Sequence, residues 1–428
     1  MQKIDRNIAP EIKDIENLNI RQPQVEKLSN GVEVFSFDVS DQDFVKIELN
    51  FDAGSAYSNK AMVASITNKL LTEGTKTHSS VEIANIIDSY GGFFETSINK
   101  DIAIVSLYSL NKHLDKTLPI FAEIIKEPIF KQEELDLYLD QKRNEFLVNQ
   151  ERVNYIARAN FPALLFGENH PYGRILKMDD FDRINRQDIV DFHRNYYLNG
   201  KFRIFTAGKM AFNTMELLET HLGSITTNPN EINPDQVSFE ASLQKNNKIE
   251  KEGAVQNAIR IGKAVINRQH PDFHSLRILN TIFGGYFGSR LMTNIREEKG
   301  YTYGIGSGIM SMRDAAFFFI TSEVKADVSE LAIEEIIKEI VLLQTQEVGA
   351  DELSLVKNYL QGEFQRSFDG PFALLSRFKE VYYSNLDYDY FEKYIDKVKS
   401  ISSEEILTIA NKYWNIKDLY ILTVGKIK

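Results

Sequence analysis

Two pairs of segments in this chain repeat each other at nearly one spacing, which constrains its architecture more than any single motif. Residues 184–210 (INRQDIVDFHRNYYLNGKFRIFTAGKM) align without a gap on residues 401–427 (ISSEEILTIANKYWNIKDLYILTVGKI), 217 positions later. Ile184, Ile189, Tyr196, Ile204, Thr206, Gly208 and Lys209 meet identical residues at Ile401, Ile406, Tyr413, Ile421, Thr423, Gly425 and Lys426. Each copy reads as a capped amphipathic helix, a turn, and a β-rich strand ending in Gly-Lys. Residues 133–146 match residues 351–364 at an offset of 218, so Leu135, Leu137, Glu145 and Phe146 fall on Leu353, Leu355, Glu363 and Phe364. The sequence reads as a duplication.

A chain of 428 residues is too long for one ordinary core. Between the copies, residues 223–247 (GSITTNPNEINPDQVSFEASLQKNN) are rich in Asn, Pro, Ser and Thr, which suits an interdomain linker. The expected organisation is an N-terminal half over 1–222, a linker over 223–247, and a C-terminal half over 248–428. The first half opens with strand-like runs at 32–37 and 45–51. Strands grouped apart from helices, with no GxGxxG or GxxxxGK[ST], favour an α+β fold over a nucleotide-binding α/β fold.

Composition narrows the function by exclusion. Lys plus Arg number 50 against 61 Asp plus Glu, a net charge of −11. That balance argues against nucleic acid as a partner, because phosphate backbones are bound by clustered positive charge. The absence of cysteine removes disulfides, thiolate nucleophiles and Cys-based metal sites together. Neither a signal-peptide core nor an apolar run of membrane-spanning length is present, so a soluble, cytoplasmic protein without a membrane partner is expected.

The segment FGGYFGSRLMTNIREEKGYTYGIGSG, residues 283–308, resembles the second-half signature of the pitrilysin-type (M16) metallopeptidases. HPYG at 170–173 and LLTEGT at 70–75 agree with the same family. The resemblance covers the chain beyond about residue 20 and implies two homologous halves, each a mostly antiparallel sheet covered by helices. In active members zinc is held by HxxEH on a first-half helix plus a distant Glu. Two His at i and i+4 share a helical face, and the Glu between them serves as general base. Anchored on Gly74-Thr75, that motif falls here on SITNKLLTEGT: the first His becomes Ser65, the Glu becomes Asn68, and the second His becomes Lys69. Ser and Asn are poor zinc ligands, and Lys brings a positive charge to a dication's place. Glu145 falls near the distant ligand position and is expected to be structural, since the repeat puts Glu363 at the same place in the second half. An ion pair between Lys69 and Glu145 is a further expectation. The one i, i+4 histidine pair, His270 and His274, has Pro271 and Phe273 where a motif would put its Glu, and reads as a loop leading into a helix.

The second-half signature is intact. The resemblance implies that Arg296 and Tyr303, seven residues apart, bind substrate backbone carbonyls and help hold a developing oxyanion. A guanidinium and a phenol both donate to such an oxygen. Tyr301 is expected to pack, Arg290 to form a structural ion pair, and the glycines between 284 and 308 to serve turns and close backbone approach. The pattern implies a chain that binds no cofactor itself and supplies substrate contacts to a zinc-bearing M16 partner acting on unfolded peptide. A homodimer, and a non-enzymatic scaffold or peptide-binding role, stand as alternatives. A self-sufficient hydrolase is disfavoured, since no GxSxG or other nucleophile motif occurs.

Overall fold

The computed structural model describes residues 20–227 and 238–427. Eleven strands among these residues form two sheets. The first half contributes β1 (Gln24–Lys27), β2 (Glu33–Asp38), β3 (Phe44–Phe51), β4 (Phe93–Ile98), β5 (Ala103–Leu110) and β6 (Phe202–Gly208). The second contributes β7 (Asn246–Glu250), β8 (Gln256–Val265), β9 (Thr302–Ser311), β10 (Ala316–Lys325) and β11 (Tyr420–Gly425). The first sheet runs β1-β2-β6-β3-β5-β4 and the second β7-β11-β8-β10-β9. Apart from β1, the two orders are the same, and in each the parallel pair is the one made by the closing strand with the strand outside it. All other pairings are antiparallel. The architecture is thus two M16-like halves of mixed α and β structure, as expected. Residues 228–237 of the expected linker lie outside the described residues, and β7 begins at Asn246, inside its C-terminal limit.

The closing strands β6 and β11 are buried along almost their whole length, because both faces of each sheet are covered. Each ends in a glycine for the same reason. Gly208 has φ +131° and Gly425 has φ +147°, and a Cβ would lie 2.4 Å from the Phe44 carbonyl oxygen or 2.2 Å from Asn257 Oδ1.

One face of each sheet packs on helices of its own half. Ile47 and Leu49 of β3 join a core with the helices Val63–Leu70, Leu114–Lys126 and Arg186–His193. Ile259 and Ile261 of β8 do the same with Phe273–Asn280, Ser329–Thr345 and Ser403–Tyr413. The other face is covered by a helix from the opposite half. Val153–Phe166 of the first half lies on β8 and β11, and Pro371–Tyr382 of the second half lies on β2 and β6. These two helices begin 218 residues apart, the offset of the repeat. The halves exchange equivalent helices, so neither sheet is fully buried without the other half.

Polar contacts reinforce the exchange. Arg313, in the β9–β10 hairpin, donates its backbone N–H to Asp101 (3.1 Å) and its guanidinium to the Tyr57 hydroxyl (2.8 Å). Tyr172, within the HPYG segment, donates to Asp101 at 2.7 Å. Gly173 in that segment is required by approach: a Cβ would lie 2.2 Å from the Gly167 carbonyl oxygen.

Candidate functional site

Ser65, Asn68 and Lys69 stand on the helix Val63–Leu70, whose buried face carries Val63, Ile66 and Leu70. Asn68 is almost fully buried, and its amide is consumed. Its Nδ2 donates to the carbonyls of Ser97 (2.8 Å) and Ile104 (3.2 Å), and its Oδ1 accepts from the Tyr197 hydroxyl at 2.9 Å. An acidic residue here would lose both donated bonds, so the position now fastens the helix to β4 and β5. Ser65 Oγ donates back to the Met62 carbonyl at 2.8 Å. These residues do not fit a zinc ion: a back-bonded hydroxyl, a spent amide and an ammonium offer no ligand set.

The expected ion pair between Lys69 and Glu145 is not formed. Lys69 pairs with Glu73 one turn on, at 3.4 Å, and Glu145 pairs with Lys142 at 2.7 Å. Each finds a nearer partner along its own stretch of chain: Glu73 just past the helix end at i+4 for Lys69, and Lys142 at i−3 on the same helix for Glu145. His270 Nδ1 accepts the backbone N–H of Asp272 at 3.1 Å, where the loop turns into the helix Phe273–Asn280. His274 on that helix packs at a tilt against Tyr390 and Tyr394, and burial pulls its pKa down to about 4. Their rings serve local structure.

Arg296 lies on the π-helical turn Met292–Glu298, and Tyr303 on β9. The two elements pack together, and the chain doubles back between them through Gly300 at φ +63°. The Tyr301 N–H closes that turn on the Ile295 carbonyl at 3.0 Å, while its ring packs on the second-half core. Arg296 stands over the Phe287 ring at 4.8 Å and is 3.8 Å from Glu297, so no strong ion pair holds it. Tyr303 is 94% exposed on a strand at the edge of its sheet. Arg290 makes the structural pair expected of it, both nitrogens reaching Glu352 at 2.8 Å. Close approach explains Gly284, where a Cβ would lie 2.6 Å from Ser307 Oγ.

Two open cavities adjoin along the Val153–Phe166 helix. One, of about 510 Å³, is lined by Tyr303, Gly304, Gly306 and Thr321; the other, of about 720 Å³, by Glu145, Arg152, Arg158 and Arg260; Asn154, Gln256 and Glu323 line both. They form one groove between the halves, with Tyr303 near one end and Glu145 near the other. Neither lining includes Arg296, Ser65, Asn68 or Lys69. Asn154, Arg158 and Arg260 were not singled out from sequence. They come from two halves, about a hundred residues apart, and no local pattern marks them.

Comparison with known proteins agrees with this geometry. Residues 34–177 match a family model described as Insulinase (Peptidase family M16), and residues 183–360 match one described as Peptidase M16 inactive domain. An uncharacterized zinc protease of Rickettsia felis is 24% identical over 94% of this chain and 96% of its own length. The non-peptidase homolog YmxG of Helicobacter pylori is 21% identical over 89% of each. The crystal structure of a peptidase M16 inactive domain from Pseudomonas fluorescens superposes with a TM-score of 0.86 at 24% identity, covering 95% of this chain and 98% of that one. The repeated strand order and the segment at 283–308 point the same way as these matches: the chain belongs to the M16 peptidase family.

Proposed function

We propose that this chain is the non-catalytic subunit of a heteromeric M16-type zinc metallopeptidase. It holds an unfolded peptide through Arg296 and Tyr303, while a zinc-bearing partner chain supplies the metal and the general base. The observation that carries this reading is the contrast between the two motif regions. Ser65 and Asn68, where the metal motif is expected, are spent on internal hydrogen bonds, whereas Tyr303 projects into solvent at the mouth of an open groove. β9 adds a second support, since an edge strand offers unpaired N–H and C=O groups to an extended peptide. The printed name of the Helicobacter relative favours a second reading, a non-enzymatic peptide-binding or scaffold protein.

The test begins by isolating the protein from its native cells and identifying what accompanies it. A chain of similar size carrying HxxEH, near one to one, is the expected result. In the reconstituted complex, Arg296→Ala is expected to slow peptide turnover by about 30- to 1,000-fold, roughly 2–4 kcal/mol for an oxyanion donor, with zinc content unchanged. Equal turnover by the variant complex removes the role assigned to Arg296. Recovery of the chain without any HxxEH protein moves the conclusion to the second reading.

A further inference from the structure

The groove between the halves has a counterpart at the other crossed helix, and the two differ in charge and filling. Arg260 on β8 opposes Leu422 and Thr321; Glu48 on β3 opposes Phe205 and Ser106. Phe205 and Leu422 are separated by the repeat offset, so Glu48 and Arg260 occupy equivalent positions, each beneath the helix from the opposite half. Glu48 is fully paired: Lys46 lies 2.8 Å away and Lys379, from the crossed helix, binds the other oxygen. Arg260 is not. Among the described residues it forms no ion pair, its Nε is buried without a partner, and one nitrogen donates to Asn154 Oδ1 at 3.2 Å. Its electrostatic neighbours include a second guanidinium, Arg158, and burial together with that like charge brings its pKa down to about 10.

The filling differs in the same sense. In the first half, Phe93 stacks on Tyr108 at 4.2 Å, and Phe372 of the crossed helix meets Tyr108 edge-on. The pairing of β10 with β8 puts Glu323, and the helix offset puts Asn154, at the corresponding places in the second half, while the place of Phe93 falls on a β-bulge at Tyr303-Gly304, where the groove is open. Two of the carboxylates around it are engaged with lysines, Glu145 with Lys142 and Glu151 with Lys251, while Glu323, whose charge favours the Arg260 cation, accepts from the Asn154 amide. The arginines keep donors to spare in a partly desolvated cavity, where a guanidinium gains most from a planar anion. We propose that this groove is an anion subsite in which Arg260 and Arg158 receive a carboxylate of an extended peptide. The proposal deepens the peptide-holding function above and rests on it for the identity of the ligand. The carboxylate comes from an acidic side chain or from the peptide's free C-terminus.

Fluorescent ten-residue unstructured peptides, titrated into the full chain by anisotropy, separate the possibilities. One carries Asp and Glu, a second carries Asn and Gln at the same positions, and each is made with a free and an amidated C-terminus. The acidic, free-terminus peptide is expected to bind at least tenfold more tightly than the neutral, amidated one, with the preference falling as salt is raised. Arg260→Gln, and independently the exposed Arg158→Gln, are expected to abolish the preference while leaving affinity for the neutral, amidated peptide unchanged. Loss on amidation assigns the terminus; loss on Asp/Glu replacement assigns the side chains. Equal affinity for all four peptides, or a preference untouched by both variants, overturns the subsite. If no peptide binds, the peptide-holding reading fails by itself, and phenylglyoxal labelling of Arg260 decides the subsite: protection by glutarate keeps it, and none overturns it.

Discussion

The two crossed-helix interfaces come from equivalent positions and have opposite characters. Where Pro371–Tyr382 lies on the first sheet, charge is buried and paired: Lys379 with Glu48, and Arg203 with Asp52 at 2.8 Å. Burial opposes ionisation of Glu48, but the Lys379 and Lys46 ammonium groups outweigh it and hold the carboxyl below its usual range. Where Val153–Phe166 lies on the second sheet, the equivalent charge is positive, forms no ion pair among the described residues, and faces a cavity. One interface fastens the halves beside a cavity of about 280 Å³; the other opens onto the larger groove at the Tyr303 edge. A repeat fold thus divides the two tasks between copies of one contact.

The comparison breaks most severely if the paired interface is disrupted. Lys379→Ala leaves Glu48 buried with only Lys46, and is expected to destabilise the fold by about 3–5 kcal/mol, read as a lower urea midpoint. Arg260→Gln should leave that midpoint nearly unchanged, because no ion pair is lost. Asn68→Ala comes next, at about 3 kcal/mol by the same measurement, since it orphans the buried Tyr197 hydroxyl and two carbonyls.

Acid should weaken both halves. Burial pulls His193 down to about 4, against the opposing effect of the Ile125 carbonyl it hydrogen-bonds at 2.7 Å, and His274 lies at a similar value. The unfolded chain takes up these protons near pH 6.5 and the folded chain near pH 4, so stability is fully present above 6.5 and falls as pH drops towards 4. For His193 the loss is up to about 3 kcal/mol, and His193→Gln should flatten that part of the stability–pH curve. The smallest effect sharpens the comparison most. Gly304→Phe adds a ring at the bulge facing the open groove, where a Cβ at Gly304 meets nothing within 4 Å. Its stability change is expected within about 0.5 kcal/mol of zero, while peptide binding is blocked.

Much of the fold was legible because it is written locally and twice. Helix periodicity, caps, and strands closing in Gly-Lys recur at one offset, and Gly208 and Gly425 are demanded by backbone geometry at the strand end. That Ser65, Asn68 and Lys69 do not suit a zinc ion was equally legible, since ligand chemistry is a property of residue type. The Lys69–Glu145 pair was misjudged because residue type and family position do not tell which way a helical side chain turns. Each had an opposite charge three or four residues away, and the nearer charge won.

The sequence by itself determined the internal repeat, the α+β class, the presence of Ser65, Asn68 and Lys69, and the interval between Arg296 and Tyr303, because each depends on identity and interval along the chain. Only the tertiary structure decided that the halves exchange helices, that Asn68 is a buried fastener, and that Arg158, Asn154 and Arg260 meet in one groove. Those facts depend on which faces are brought together across about a hundred residues, where burial removes water and leaves each polar group with the partners the fold supplies.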